Sequence, residues 1–347
     1  MDFDSIIEQL GTSQTSAIIG VAVGLLFGIF AQQSRFCLRA ACIEFWRGHI
    51  GPKFSIWLLT FSAALIGTQF YIENGGIETG NIRQLNAVGS MSGAIIGGLL
   101  FGSGMILARG CASRLLVLSA TGNMRALISG LIVTLVAQAS LRGILSPVRE
   151  GVSSIWLVEG YQRGFSHLLP EYGGLLLGVI ILAMGIWYTR RFKLSPWLAV
   201  TATLTGLTVT LGWVLNAWHA NHTFDIVPQK SISFTGPAAD TLMGLINSPS
   251  LDFSFDIGLV PGVFAGSFLA SLFTREFKWQ QFTTETGLSR YLVGASMMGF
   301  GGMLAGGCAV GAGVTGGSLL AVTAWIALFC MWLAAGATDW LIDKPRV

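Results

Sequence analysis

Charge is scarce in this chain: of 347 residues only 11% are Asp, Glu, Lys or Arg, against 52% hydrophobic, and the mean hydropathy is +0.67. A soluble domain carries about a quarter charged residues, so the deficit excludes a globular soluble protein and leaves a polytopic membrane protein. Basic runs and aromatic-basic interleaving are missing too, and the net charge of +3 is spread over loops, which sets nucleic acid aside. Met1 to Gln9 hold Asp2, Asp4 and Glu8 and no basic residue, so the first span is expected to be retained rather than cleaved as a secretory signal. Cysteine is sparse, odd in number at five, and mostly inside apolar segments. That is no disulfide framework, and free thiols in a membrane are the better reading. There is no C-x-x-C pair, no phosphate loop and no intramembrane acidic pair to serve as a proton relay.

What the chain has in abundance is apolar sequence. Stretches near 17–31, 54–70, 92–108, 123–141, 173–188, 197–215, 258–273, 290–305 and 318–337 make nine expected spans. A helix needs about 20 residues to cross roughly 30 Å of hydrocarbon. Several stretches are shorter, as expected of helices that stop part-way and resume as a second half-helix. With the N-terminus outside, 15 of the 20 basic residues fall on inner loops, while Asp225, Asp240, Asp252 and Asp256 fall on a long outer loop over 216–257. The positive-inside bias therefore predicts an outside N-terminus and a cytoplasmic C-terminus.

One motif is duplicated. Setting Cys111 against Cys308 matches Gly97 with Gly294, Gly102 with Gly299, Gly104 with Gly301, Leu107-Ala108 with Leu304-Ala305, and Ala112 with Ala309. The copies lie in the third and eighth spans, so they cross in opposite directions. Antiparallel copies of an interrupted, glycine-rich helix mark an inverted-repeat transporter with its substrate site near the midplane. The expected fold is all-α, with about nine transmembrane helices and re-entrant half-helices. It forms one transport domain over 1–347, with a first half at 17–141, a linker span at 173–188 and a second half at 197–337.

Three segments put a thiol just past an apolar helix: Ser34-Arg35-Phe36-Cys37, Ala108-Arg109-Gly110-Cys111 and Ala305-Gly306-Gly307-Cys308. Backbone amides near Gly110 and Gly307, at half-helix N-termini, offer partial positive charge to an anion. A thiol is a weak, polarisable donor that suits a soft, sulfur-bearing anion better than sulfate. A lone charge at the bilayer centre costs about 2.5–3.5 kcal/mol on insertion scales, so a dianion needs compensation along its path. Arg35, Arg109 and Arg114 are candidates to draw it in, with snorkelling anchors as their plainer role. Cys42 and Cys330 read as small buried hydrophobes.

At these residues the chain resembles the YeeE/YedE family of bacterial inner-membrane sulfur transporters, whose better-known members take up thiosulfate. The likeness runs nearly end to end. Besides the three cysteine motifs it includes Gly97-Gly98 through Phe101-Gly102-Ser103-Gly104, Met298-Gly299-Phe300-Gly301, and Gly262-Val263-Phe264-Ala265-Gly266-Ser267-Phe268 with Arg275-Glu276-Phe277. The resemblance implies an hourglass-shaped protein of the cell inner membrane in which thiosulfate is handed past Cys37, Cys111 and Cys308. It also implies a TusA-like sulfur-carrier partner on the cytoplasmic side. Two departures bear on selectivity: Arg109 stands where the other copy has Gly306, and Leu38-Arg39-Ala40-Ala41 follows the first cysteine.

The expected function is thiosulfate uptake through a relay of three thiols, feeding sulfur assimilation, with no enzyme activity, cofactor or metal. The alternatives are transport of another sulfur or selenium species, a membrane thiol oxidoreductase cycling Cys111 and Cys308, and a purely structural membrane subunit. His219 and His222, followed by Asp225, look like a fragment of a metal site without a convincing further ligand.

Overall fold

The computed structural model describes residues 11–77, 79–159, 163–165, 169–223, 225, 227–247, 252–280 and 287–343. Met1 to Gln9, and Lys344 and Arg346 of the charge count, lie outside them. The helices in chain order are α1 (Thr12–Ser34), α2 (Leu38–Trp46), α3 (Pro52–Glu73), α4 (Arg83–Asn86), α5 (Met91–Leu107), α6 (Ala112–Ala120) and α7 (Met124–Arg142). They continue with α8 (Ser146–Ser153), α9 (Gly173–Arg191), α10 (Pro196–Asn221), α11 (Thr235–Asn247), α12 (Phe255–Phe273), α13 (Leu288–Leu304), a π-helix (Ala309–Gly316) and α14 (Val322–Thr338). Among the described residues the one sheet is a short antiparallel pair, β1 (Gly89–Ser90) with β2 (Leu157–Val158).

Among the described residues, nine segments are long and apolar enough to cross a membrane, the number the hydropathy pattern implies. Three of them, Thr12–Trp46, Met91–Ala120 and Leu288–Gly316, each hold two helical pieces. They contain the short stretches 17–31, 92–108 and 290–305, whereas the equally short 54–70, 173–188 and 258–273 lie in the unbroken helices α3, α9 and α12.

Helices in lipid have no hydrophobic effect to drive them together, so close packing at small residues takes its place. Gly20, Gly24 and Gly28 on α1 face Gly258, Gly262 and Gly266 on α12, and a Cβ at any of the six would strike the other helix's backbone. This seam is parallel, since Gly20 meets Phe255 and Gly28 meets Val263. The seam between α5 and α13 is antiparallel: Gly97 lies against Gly301 and Ala305, and Gly104 against Gly294 and Met298. The repeat aligns Gly97 with Gly294 and Gly104 with Gly301, so these two contacts are images of one another.

The stretch 216–257, whose acidic residues suggest an outer loop, contains buried structure. Gln229, Ser231, Ile232, Phe234 and Thr235 are all buried. Ser231 Oγ donates to Val209 O at 2.6 Å and Thr315 Oγ1 of the π-helix donates to Ile232 O at 2.6 Å. An extended segment enters the protein here and leaves as α11. Such non-helical backbone is tolerated at membrane depth only where protein or a cavity surrounds it.

Candidate functional site

Each of the three cysteines sits at a helix interruption, and the sequence makes each break in the same way. α1 ends with Arg35 in the left-handed conformation (φ +54°), α5 is followed by Arg109 (φ +57°) and α13 by Gly306 (φ +79°). One left-handed residue turns the chain off the helix axis while its amides bond back to the last turn. Gly110 N donates to Met105 O at 3.1 Å, and Gly307 N makes the equivalent bond to Gly302 O at 2.8 Å. The next residue is the cysteine, which caps the following helix: Cys37 before α2, Cys111 before α6, Cys308 before the π-helix.

The N-cap position brings each thiol close to first-turn amides. The first-turn amides of a helix have no intrahelical acceptor and carry the positive end of its dipole. Cys308 Sγ accepts from Gly311 N–H at 3.4 Å. The amides of Ala40 and Arg114, likewise three residues on, face the thiols of Cys37 and Cys111.

The structure brings Cys37 and Cys111 together, with their thiols facing each other. Ser113 Oγ lies 3.3 Å from Cys111 Sγ. The Arg114 guanidinium acts electrostatically on both thiols, and that of Arg39 on Cys37. Cys111 is buried and Cys37 partly so. Cys308 is also buried, with Gly306 and Gly311 standing where the first half has Arg109 and Arg114.

The three candidate arginines part company. Arg114 stands at the thiol pair, and its Nη1 donates to Gln32 Oε1 at 3.5 Å. Gln32 Nε2 in turn donates to Glu276 Oε2 at 2.9 Å, and Glu276 Oε1 pairs with Arg35 Nη2 at 2.9 Å. Arg35 is therefore more than half exposed and already neutralised by a carboxylate. Arg109 is exposed and borders a separate cavity of about 170 Å³ shared with Arg125 and Tyr291.

Gly110 and Gly307 spend their own amides on the helix ends, donating to Met105 O and Gly302 O. Gln32, Arg39 and Glu276 join this neighbourhood without having been singled out as site residues. Arg39 was signalled by its place two residues after Cys37, whereas nothing local links Gln32 to Glu276. Among the described residues no cluster of three or more His, Cys, Asp or Glu could hold a metal. His219 Nε2 lies 3.2 Å from Thr12 O, and His222 Nδ1 lies 2.9 Å from Trp218 O. Cys42 and Cys330 are buried in the core.

A family described as Sulphur transport matches residues 33–337, from just before Ser34 to the last turn of α14. The chain is 26% identical to the thiosulfate transporter TsuA of Escherichia coli (strain K12), over 93% of this chain and 94% of that one. It is 26% identical to the thiosulfate transporter TsuA of Spirochaeta thermophila, over 94% of this chain and 98% of that one. With its nine apolar spans and a match over most of its length, the chain is a multi-pass membrane protein and belongs to the sulphur-transport family.

Proposed function

We propose that this protein takes up thiosulfate across the cytoplasmic membrane, handing the dianion past the thiols of Cys37, Cys111 and Cys308. The observation that carries the reading is that each of these cysteines occupies the N-cap position of a half-helix at a break in a membrane-spanning segment. Each stop along the path combines a polarisable S–H donor with first-turn amides at the positive end of a helix dipole. Thiosulfate has a soft terminal sulfur for the thiol and hard oxygens for the amides. Arg114 adds a full positive charge at the first pair of thiols, which lowers the cost of bringing a dianion to that depth.

The two halves, 17–141 and 197–337 around the linker span 173–188, form an inverted repeat. The antiparallel seam of α5 and α13 supports this. The N-terminus lies outside and the C-terminus in the cytoplasm, so the arginine-bearing mouth faces the cytoplasm. There a TusA-like carrier takes the sulfur onward into assimilation. The TsuA relatives, named as thiosulfate transporters, support the choice of anion.

Labelled thiosulfate uptake into liposomes tests the reading, comparing the unmodified chain with Cys111→Ala and Cys308→Ala and using sulfate and selenite as competitors. Expected is loss of uptake in both variants at unchanged folding, with competition from softer anions only. Normal uptake in either variant removes the relay. The facing thiols of Cys37 and Cys111, rather than the Cys111 and Cys308 pair expected from the repeat, favour a second reading as a thiol oxidoreductase. Mass spectrometry of the thiols during turnover separates the two, since the relay leaves their oxidation state unchanged.

A further inference from the structure

The repeat extends beyond the motif that reveals it. Cys111 and Cys308 are 197 residues apart, and so are Cys37 and Phe234. All four positions also open a helix. The carbonyl of each accepts from the amide four residues on: Ala41 N to Cys37 O at 3.2 Å, Leu115 N to Cys111 O at 2.9 Å, Ala238 N to Phe234 O at 3.0 Å and Ala312 N to Cys308 O at 2.8 Å.

Ser233, just before Phe234, lies where a Cβ on Gly311 would be, and Thr235 packs on Gly302. Gly311 is the residue whose amide donates to Cys308 Sγ. The Phe234 side chain, 2% exposed, has its ring 5.3 Å from that of Phe27 on α1. It shares the wall of a cavity of about 190 Å³ with Ala112 and Leu115 of α6, the helix that Cys111 caps. The backbone of Phe234 thus adjoins the Cys308 cap while its ring reaches toward the helix capped by Cys111.

We infer that Phe234 is the constriction of the anion path, a ring where the repeat would have a fourth thiol, and that it sets which anions pass. The inference rests on the thiosulfate reading above. A phenyl group makes no ordinary hydrogen bond, and the face of its ring is the negative end of its quadrupole. An anion passing it gives up hydration without replacement, at a cost that rises with the strength of that hydration. Sulfate presents hard oxygens on every side, whereas thiosulfate can turn its polarisable sulfur toward the ring. The adjoining cavity exceeds the roughly 150 Å³ that accommodates benzene in an engineered apolar void.

The test uses Phe234→Ala, Phe234→Leu and Cys308→Ala in liposomes, with separate uptake of labelled thiosulfate and sulfate. It also follows the rate at which a charged methanethiosulfonate reagent modifies Cys308, read by peptide mass spectrometry. In Phe234→Ala, sulfate entry should rise at least about tenfold, equivalent to ~1.4 kcal/mol of barrier, and Cys308 labelling should accelerate to a similar degree. Phe234→Leu, which keeps most of the volume, should fall between and carries the test if the alanine variant does not fold. Selectivity and labelling unchanged in the folded Phe234 variants, with Cys308→Ala inactive, overturn the constriction and leave the relay. Faster labelling in the Phe234 variants while Cys308→Ala transports normally removes the relay and keeps the constriction.

Discussion

After α5 the chain reads Ala108-Arg109-Gly110-Cys111, and after α13 it reads Ala305-Gly306-Gly307-Cys308. Arg109 and Gly306 both adopt the left-handed conformation, and Gly110 and Gly307 bond back to equivalent carbonyls. The side chains around this shared backbone differ sharply. The first break faces a second thiol and holds Arg114 beside it. At the equivalent of Arg114 the second break has Gly311, kept bare by Ser233, and at the equivalent of Cys37 it has Phe234. One break thus presents guanidinium charge and two thiols, the other amides, one thiol and a ring. A duplicated backbone supplies the turns and caps, while the chemistry at each is set by what packs against it.

The largest effect expected from forcing the halves to match is on folding. Gly311→Arg copies the first half into the second, drives a side chain into Ser233 and buries a guanidinium without a partner. It should destabilise by about 3 kcal/mol or more, seen as a lowered melting temperature in detergent. Wild-type melting would mean that the halves are interchangeable and the contrast empty.

Next comes Arg114→Gln, which removes the charge beside Cys37 and Cys111. Uptake should fall about tenfold, or ~1.4 kcal/mol, with unchanged melting and a weaker dependence on ionic strength. Arg35→Gln should change uptake by less than about twofold, because its exposed pair with Glu276 already offsets its charge. An effect as large as that of Arg114→Gln would show that both arginines act on the anion directly. The smallest change is Arg109→Gly, which gives the first break the glycine of the second. Relief of a left-handed arginine should stabilise by about 0.5–1 kcal/mol, read by thermal unfolding with uptake unchanged.

Much of this arrangement is legible residue by residue. The span count, the interrupted helices and the cysteines beyond each break follow from hydropathy and from glycines spaced along single segments. The division among the arginines does not. Arg35, Arg109 and Arg114 look alike in sequence, yet Arg35 is held by a carboxylate on a distant segment, and that same Glu276 holds Gln32 across 244 residues. The buried stretch around Phe234 was hidden for a different reason. It has neither a cysteine nor a long apolar run, and the charges of Lys230, Asp225 and Asp240 make it resemble a loop. Lys230 is in fact paired with Asp256. His219 and His222, a metal-site fragment without a further ligand in sequence, lie against the backbone carbonyls of Thr12 and Trp218.

The sequence alone determined that the chain lies in a membrane, how many times it can cross, where three helices break and that a cysteine stands at each resumption. These features depend on hydropathy, on glycine conformation and on capping, all of which act within one or two helical turns. The tertiary structure alone decided that Cys37 meets Cys111, that Arg114 rather than Arg35 reaches them, and that Phe234 fills the fourth capping position. Those outcomes rest on contacts between segments far apart in the chain, where close glycine packing and ion pairing select neighbours that no local pattern encodes.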